Sequence, residues 1–270
     1  MADFITYSTS SPAGDLISFL AGIKQMWKLT GKRGVVYQRI GMPGISYSES
    51  IHPFENEQGE PVTMNGYMFE MLRPLLLSQE YIQDYVEFKG EMVDFNFDLI
   101  RMERYTGQPK YSLNRWPFQV FPQMTTDLSK KWIEVDGNGE ANEKIVVNFT
   151  QRHRNHLIHY HFLKPYQDKI IFAGIKKERD IFCKAFDLDI LHLEVSNFLE
   201  LATVINGCRF FLGNASFCYQ LAEAMKIPRV LELFPLMPNV IPIGEHAYDF
   251  FSQAAVEFFF TELINQKQKS

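Results

Sequence analysis

In the second half of the chain, short β-prone runs alternate with helical ones, and this alternation leaves few folds open. Lys144–Asn148, Lys169–Ala173, Leu191–Leu193, Arg209–Leu212 and Arg229–Leu233 read as strands, the last entered through Pro228. Between them, Lys177–Phe186, Asn197–Asn206 and Ser216–Lys226 carry apolar residues at helical spacing. Asn197 can cap its helix, Glu200 stands three residues on, and Gly207 follows the end. Strands joined through helices pair in parallel, so a βαβαβ series of this kind predicts an α/β fold with a doubly wound parallel sheet.

The N-terminal part opens the same way. Phe4–Tyr7 is β-prone, a small-residue loop runs from Ser8 to Gly14, and Leu16, Phe19, Leu20, Ile23, Met26 and Trp27 recur at helical spacing. Thr30-Gly31 ends that helix, and Gly34–Tyr37 reads as the next strand. Further on, Tyr67–Leu77 reads as a helix, Tyr85–Phe88 and Val93–Phe97 alternate as strands do, and Tyr111–Pro122 reads as irregular or helical packing. The run Asp136-Gly137-Asn138-Gly139-Glu140 is the strongest turn signal, which places a domain boundary just before it, near residue 130. A closing helix, Phe251–Ile264, is rich in Phe and has to pack against something large.

Composition narrows the function classes. Of 270 residues, 46% are hydrophobic, enough for a real core, and the net charge of −5 argues against a nucleic-acid binder. The short basic pieces, Lys176-Lys177 and Arg152 to Arg154, are too small for a nucleic-acid stripe but can serve a phosphate. No signal peptide is visible at Met1, and no stretch approaches the roughly 18 apolar residues of a membrane span. Cys183, Cys208 and Cys218 have no paired spacing and are expected to be buried, reduced thiols, which points to a cytoplasmic protein.

Ligands of such sheets bind at the carboxyl ends of the strands, and three junctions there carry candidate residues. At Gly14-Asp15, the carboxylate of Asp15 either complements the dipole of the first helix or serves as a general base facing the crevice. At Gly213-Asn214-Ala215-Ser216, a strand end runs into a helix start, where backbone N–H groups can bind an anion or simply be capped by Ser216. After Asn148, Thr150 and Arg152 lead a basic loop whose arginine can grip a diphosphate or stand exposed without a role. The histidines 153, 156, 159 and 161 do not converge on one helix face and have no nearby Cys or acidic partner. They predict a packed helix rather than a metal site. Walker, G-x-G-x-x-G and G-x-S-x-G motifs are all absent.

Two segments carry a resemblance. Gly14-Asp15-Leu16-Ile17 with the following helix resembles the opening G-D-[VIL] segment of the ADP-heptose:lipopolysaccharide heptosyltransferases, a glycosyltransferase family 9-like group. The run from Leu199 through Gly213-Asn214-Ala215-Ser216 to Ile227-Pro228-Arg229-Val230 is similar to that family's donor segment, commonly G-N-D-T-G-P-M-H-L-A-A-A-L-G-x-P. The departures are Ala215 for Asp, Ser216 for Thr, Phe217 for Gly and Gln220 for His, and residues from about 40 to 140 carry hardly any of the likeness.

The resemblance implies a glycosyltransferase B fold, in which two Rossmann-like domains face a central cleft. Residues 1–130 would form the acceptor-side domain and 131–248 the nucleotide-sugar domain, with a helix over 249–270 crossing back to the first. It implies transfer of a sugar from a nucleotide diphosphate sugar to a hydroxyl of a glycan or other acceptor, with no metal and no cofactor besides the donor. Asp15 would be the catalytic base, and Thr150, Arg152, Asn214, Ser216 and Gln220 would bind the donor, with Arg154 as a substitute for Arg152. The altered donor segment leaves open a non-catalytic binding or structural module on the same fold.

Overall fold

The computed structural model describes residues 3–44, 50–51, 54–102, 112–137, 141–236 and 238–266. The strands fall into two separate parallel sheets. The first holds β1 (Phe4–Thr9), β2 (Arg33–Gln38), β3 (Ile82–Glu87) and β4 (Phe95–Asn96) in the order β3-β2-β1-β4. The second holds β5 (Ile145–Asn148), β6 (Ile170–Ala173), β7 (Leu191–Leu193), β8 (Phe210–Asn214), β9 (Arg229–Glu232) and β10 (Ala247–Phe250) in the order β10-β9-β8-β5-β6-β7. The helices are α1 (Ala13–Thr30), α2 (Gly66–Leu77), a short α3 (Trp116–Val120), α4 (Lys176–Phe186), α5 (Phe198–Gly207), α6 (Phe217–Met225) and α7 (Gln253–Asn265).

Side-chain alternation along β5 shows how the core is divided. Val146 joins a large cluster that runs from the first sheet through α1, α2, α5 and α6 to the inner face of the second sheet. Ile145, Val147 and the following Phe149 point the other way, into an aromatic cluster with Phe172, Phe182 and Phe210 on the outer face. Both faces of the parallel sheet are thereby covered, as its apolar strands require.

Helix α1 is buried without interruption from Asp15 to Lys24. It lies between the first sheet and the second half, meeting α6, while α2 meets α5. Gly22 permits the fit, since a Cβ there would stand 3.0 Å from Met124 Sδ. Gly31, at φ 71, closes the helix in the left-handed conformation that the Thr30-Gly31 signal implies.

The segment between the sheets is bonded to both. Trp132 donates from its indole Nε1 to Ile17 O of α1 (2.8 Å) and from its backbone N to Ala224 O of α6 (3.0 Å), while its carbonyl accepts from Tyr81 Oη (2.6 Å). Glu134 N donates to Gln79 Oε1 (2.9 Å), the Glu134 carboxylate pairs with Lys24 (2.7 Å), and Asn206 Nδ2 donates to Val135 O (2.8 Å). Of the turn signal at 136–140, residues 138–140 lie outside the described residues, as does Tyr111.

Three expectations are corrected. The closing helix does not cross back among the described residues. Val256, Phe260 and Leu263 of α7 are buried in the outer aromatic cluster, with Phe260 against Phe162, Tyr166 and Phe210, and Arg209 holds the last carbonyls of the helix. Through Phe260, with Phe259 partly buried beside it, the helix covers aromatic residues on the outer face of the second sheet, while Phe258 stays exposed. The run Val93–Phe97 yields only two strand residues, because Asn96 accepts from Asp98 N and turns the chain into a 3-10 stretch, Phe97–Arg101. The histidine-rich run is no α-helix: Tyr160–Lys169 is 3-10, with Pro165 inside it unable to donate to a helical ladder.

Replacing Trp132 with Ala is expected to lower stability by about 3–5 kcal/mol in urea unfolding, with a smaller loss for Trp132→Phe, which keeps a ring in the seam. Gly213→Ala is expected to cost more than a surface Gly→Ala change, because a Cβ at Gly213 would stand 2.3 Å from Asn148 O, a backbone atom of the paired strand. A thermal midpoint unchanged by Gly213→Ala would refute that close approach.

Candidate active site

Strand order locates the crevices. In the first sheet the chain builds outward from β1 through β2 to β3 and then places β4 on the opposite side of β1. In the second it builds from β5 through β6 to β7 and then places β8 on the opposite side of β5. Each sheet has a topological switch point at these places, β1/β4 and β5/β8, where the loops diverge and leave a crevice outside the carboxyl ends.

The first crevice holds Asp15, three residues into α1. Pro12 occupies the cap position and provides no side-chain bond. The Asp15 carboxylate, 11% exposed, forms an ion pair with Arg101, which follows β4 and is 47% exposed. The Arg101 guanidinium carbon lies 5.0 Å from the centre of the Trp116 ring. Asp98, on the same 3-10 stretch, accepts from Ser10 N (2.5 Å) and Ser10 Oγ (2.8 Å) and pairs with Arg39 Nε (3.0 Å). Arg101, Asp98 and Arg39 escaped the sequence reading. Arg39 follows β2, Asp98 and Arg101 follow the strand-like run Val93–Phe97, and nothing local tells that β4 returns beside β1.

The second crevice is closed at its base by Asn214, which is fully buried. Its Oδ1 accepts from Thr150 N (3.0 Å), and its Nδ2 donates to Thr150 O (3.1 Å) and Arg152 O (2.8 Å). Asn214 thus ties the loop after β5 to the end of β8, with its amide bonded within the protein. Thr150, also buried, donates from Oγ1 to Arg152 O (3.2 Å). Arg152 is half-buried on the loop so held. Arg154 is drawn away from the crevice: its Nε donates to the buried Glu232 carboxylate (2.9 Å), which also accepts from Asn155 N (2.8 Å) and Tyr160 Oη (2.5 Å). Burial first, and then Glu232, hold the Tyr160 hydroxyl well above the usual phenol range.

Ser216 is the N-cap of α6, its Oγ accepting from Tyr219 N (3.2 Å). Gln220 N donates to Ser216 O (3.1 Å), so Phe217 and Cys218 carry the helix-start N–H groups that have no intrahelical acceptor. The Phe217 ring packs on Phe198, centroids 4.3 Å apart. Gln220, 3% exposed, accepts at Oε1 from Ser18 Oγ of α1 (3.1 Å). A Cβ at Gly14 would lie 3.7 Å from Phe217 Cα. The starts of α1 and α6 are therefore in direct contact, which brings the two switch points to the same side of the molecule's seam.

One further group lines the carboxyl edge of the second sheet. Glu178, fully buried in the first turn of α4, stands beside Gly174, where a Cβ would come 3.4 Å from its Oε2 and 2.6 Å from Asn148 Nδ2. His192 Nε2 lies 2.8 Å from Gly174 O. The sequence reading passed over Gly174 and Glu178, whose spacing looks like any helix start. Among the described residues, no group of three or more His, Cys, Asp or Glu side chains could hold a metal ion, and no helix is long and apolar enough to cross a membrane. The three cysteines are buried and unpaired with one another, and burial pushes the Cys218 thiol up to about 12.

No protein-family model matches the chain, and no curated protein matches it in sequence. Solved structures do match it over nearly its whole length. Escherichia coli heptosyltransferase WaaC, with ADP-2-deoxy-2-fluoro heptose, is 10% identical and superposes with a TM-score of 0.61 over 96% of this chain and 99% of its own. E. coli ADP-heptose lipopolysaccharide heptosyltransferase II is 11% identical, with a TM-score of 0.61 over 97% of this chain and 98% of its own. A glycosyl transferase family 9 protein from Veillonella parvula is 13% identical, with a TM-score of 0.51 over 98% of this chain and 90% of its own. The chain has the α/β fold of these heptosyltransferases, with two parallel sheets in the glycosyltransferase B arrangement.

Proposed function

We propose that the chain transfers a sugar from a nucleoside diphosphate sugar to an acceptor hydroxyl. The observation that carries this reading is the contact between the starts of α1 and α6, with Gly14 against Phe217. It supports the reading by bringing the helix start that carries Asp15 next to a helix start with unpaired N–H groups, which a transfer between a base and a diphosphate would need close together.

Asp15 takes the proton of the acceptor hydroxyl as its oxygen bonds to the anomeric carbon of the donor. The bond from that carbon to the diphosphate breaks, and the electron pair leaves with the phosphate oxygen. Stabilising that growing charge is the main electrostatic task. The N–H groups of Phe217 and Cys218, at the positive end of α6, and the Arg152 guanidinium supply it, with Arg152 as the cation in place of a metal. Thr150 and Asn214 act indirectly, by holding the loop that carries Arg152. Escherichia coli heptosyltransferase WaaC, solved with ADP and with ADP-2-deoxy-2-fluoro heptose, lends the donor class support through the shared fold.

A second reading, a binding or structural module without transfer, is favoured by a different observation. Asn214 and Gln220 make their bonds within the protein, and the Phe217 ring occupies a position that is glycine in the family the donor segment resembles.

Titration with ADP, UDP and GDP separates the two. Under the transfer reading, one of them is expected to raise the thermal midpoint, by an amount that grows with the logarithm of ligand excess over Kd. Arg152→Ala is expected to weaken that binding by about 1.5–3 kcal/mol, the scale of a hydrogen bond to a charged group. Binding to neither form would put the module reading ahead. Asp15→Asn is expected to abolish transfer while leaving nucleotide affinity nearly unchanged, because the base acts on the acceptor alone. Transfer that survives Asp15→Asn would remove Asp15 from the mechanism.

A further inference from the structure

The base of a transfer reaction must be ionised when the acceptor arrives and must present a fixed oxygen to it. Asp15 is poorly placed to do either alone. Its side chain is 11% exposed, and burial disfavours the charged form of a carboxylate. The cap position ahead of it is Pro12, which makes no side-chain bond, so its own helix start provides no partner side chain. What meets the carboxylate is Arg101, delivered by a different part of the chain through the strand order of the first sheet.

We propose that Arg101 is the positioning residue for Asp15, keeping its carboxylate charged and fixing one oxygen so that the other faces the acceptor. The proposal rests on Asp15 being the base of the transfer described above. Three features support it. The β1/β4 switch point brings the 3-10 stretch Phe97–Arg101 beside the start of α1, so the contact is built into the topology. The guanidinium lies over the Trp116 ring at 5.0 Å, where a cation on an aromatic face is held in place while its outer edge stays open. Burial of the guanidinium lowers the Arg101 pKa to about 10 although 47% of the side chain is exposed, so its pair with Asp15 stands in a partly desolvated setting where screening by water is weaker than at the open surface.

Among the described residues, the other charges near Asp15 do not substitute for Arg101. Asp98 on the same stretch accepts from Ser10 and pairs with Arg39, so the Arg39 charge is spent on Asp98 rather than on Asp15. Arg115, ahead of α3, is exposed. The first turn of α6, Phe217-Cys218-Tyr219-Gln220, carries no charge, and Glu223 farther along it pairs with Arg229 (2.5 Å) and Lys226. Buried polar atoms without a hydrogen-bond partner, Ser11 Oγ just before α1 and Ser112 Oγ and Asn114 Oδ1 beside the turn Leu113–Arg115 that packs on α1, offer bonds to an entering hydroxyl compound.

The test uses the full chain as wild type, Arg101→Gln and Arg101→Lys. The Asp15 carboxyl is followed by carbon NMR against pH and assigned by its loss in Asp15→Asn. Arg101→Gln is expected to move the titration midpoint up by about one unit or more, and Arg101→Lys to restore most of the shift. The acid limb of kcat/KM should rise with it, so that activity falls at low pH and holds at high pH, with KM for the donor unchanged. A midpoint that stays put in Arg101→Gln, with only the melting temperature lowered, overturns the proposal and leaves an ordinary structural ion pair. Absence of transfer by the wild type overturns the proposed function instead, and the NMR midpoint judges Arg101 independently.

Discussion

Burial of α1 on every side is the constraint on which the rest of the molecule depends. An amphipathic helix on a sheet would keep a wet face, but here Asp15 through Lys24 are all withdrawn from solvent. The outer face of α1 is covered by α6, and Trp132 bonds to both helices. This one packing joins the two sheets through a common apolar layer and fixes the start of α1 against the start of α6. A flexible hinge between the halves would have left Asp15 and the α6 N-terminus without a defined relation.

Within that frame, the polar residues at the crevice divide by what they bond. Asn214, Gln220, Ser216 and Arg154 satisfy groups of the protein itself: a strand-end tie, a helix-to-helix bond, a cap and a buried carboxylate. Each is costly to leave unpaired at such burial, so these bonds maintain the shape of the site. The proposed transfer therefore draws on other groups: the α6 N–H groups, Arg152 and the Asp15 carboxylate with Arg101. Under the proposed function, a donor would be held through backbone and one guanidinium rather than through side-chain amides. Phe217 narrows the approach where a glycine would open it, and its stacking on Phe198 couples the donor wall to α5.

Local pattern made much of the fold legible in advance. The strands β5 to β9 and the helices between them follow period-2 and period-3.6 spacing, and Asn197, Ser216 and Gly31 mark ends in the structure as they do in the chain. Glu200 shows how far such reading goes: it reaches back from the helix as a capping partner should, but to Ser196 N rather than to Asn197. Asp15 and the Ser216 junction were identifiable because each sits where a strand passes into a helix, an event visible within a dozen residues.

Tertiary structure alone decided what no local window contains. The placement of β4 beside β1 brings Arg101 to Asp15 across a long stretch of sequence, and no spacing rule records it. The withdrawal of Arg154 depends on Glu232 at the end of β9, a partner far along the chain and wholly buried. The closing helix looked long and aromatic enough to cross between domains, yet its destination followed from which aromatic surface lay uncovered, a property of the assembled sheet. Periodicity and caps therefore determined the elements and the direction of the strands, because backbone geometry acts over a few residues. The partners of each charge were settled by strand order and burial, because ion pairs form between whatever groups the packed sheets bring together.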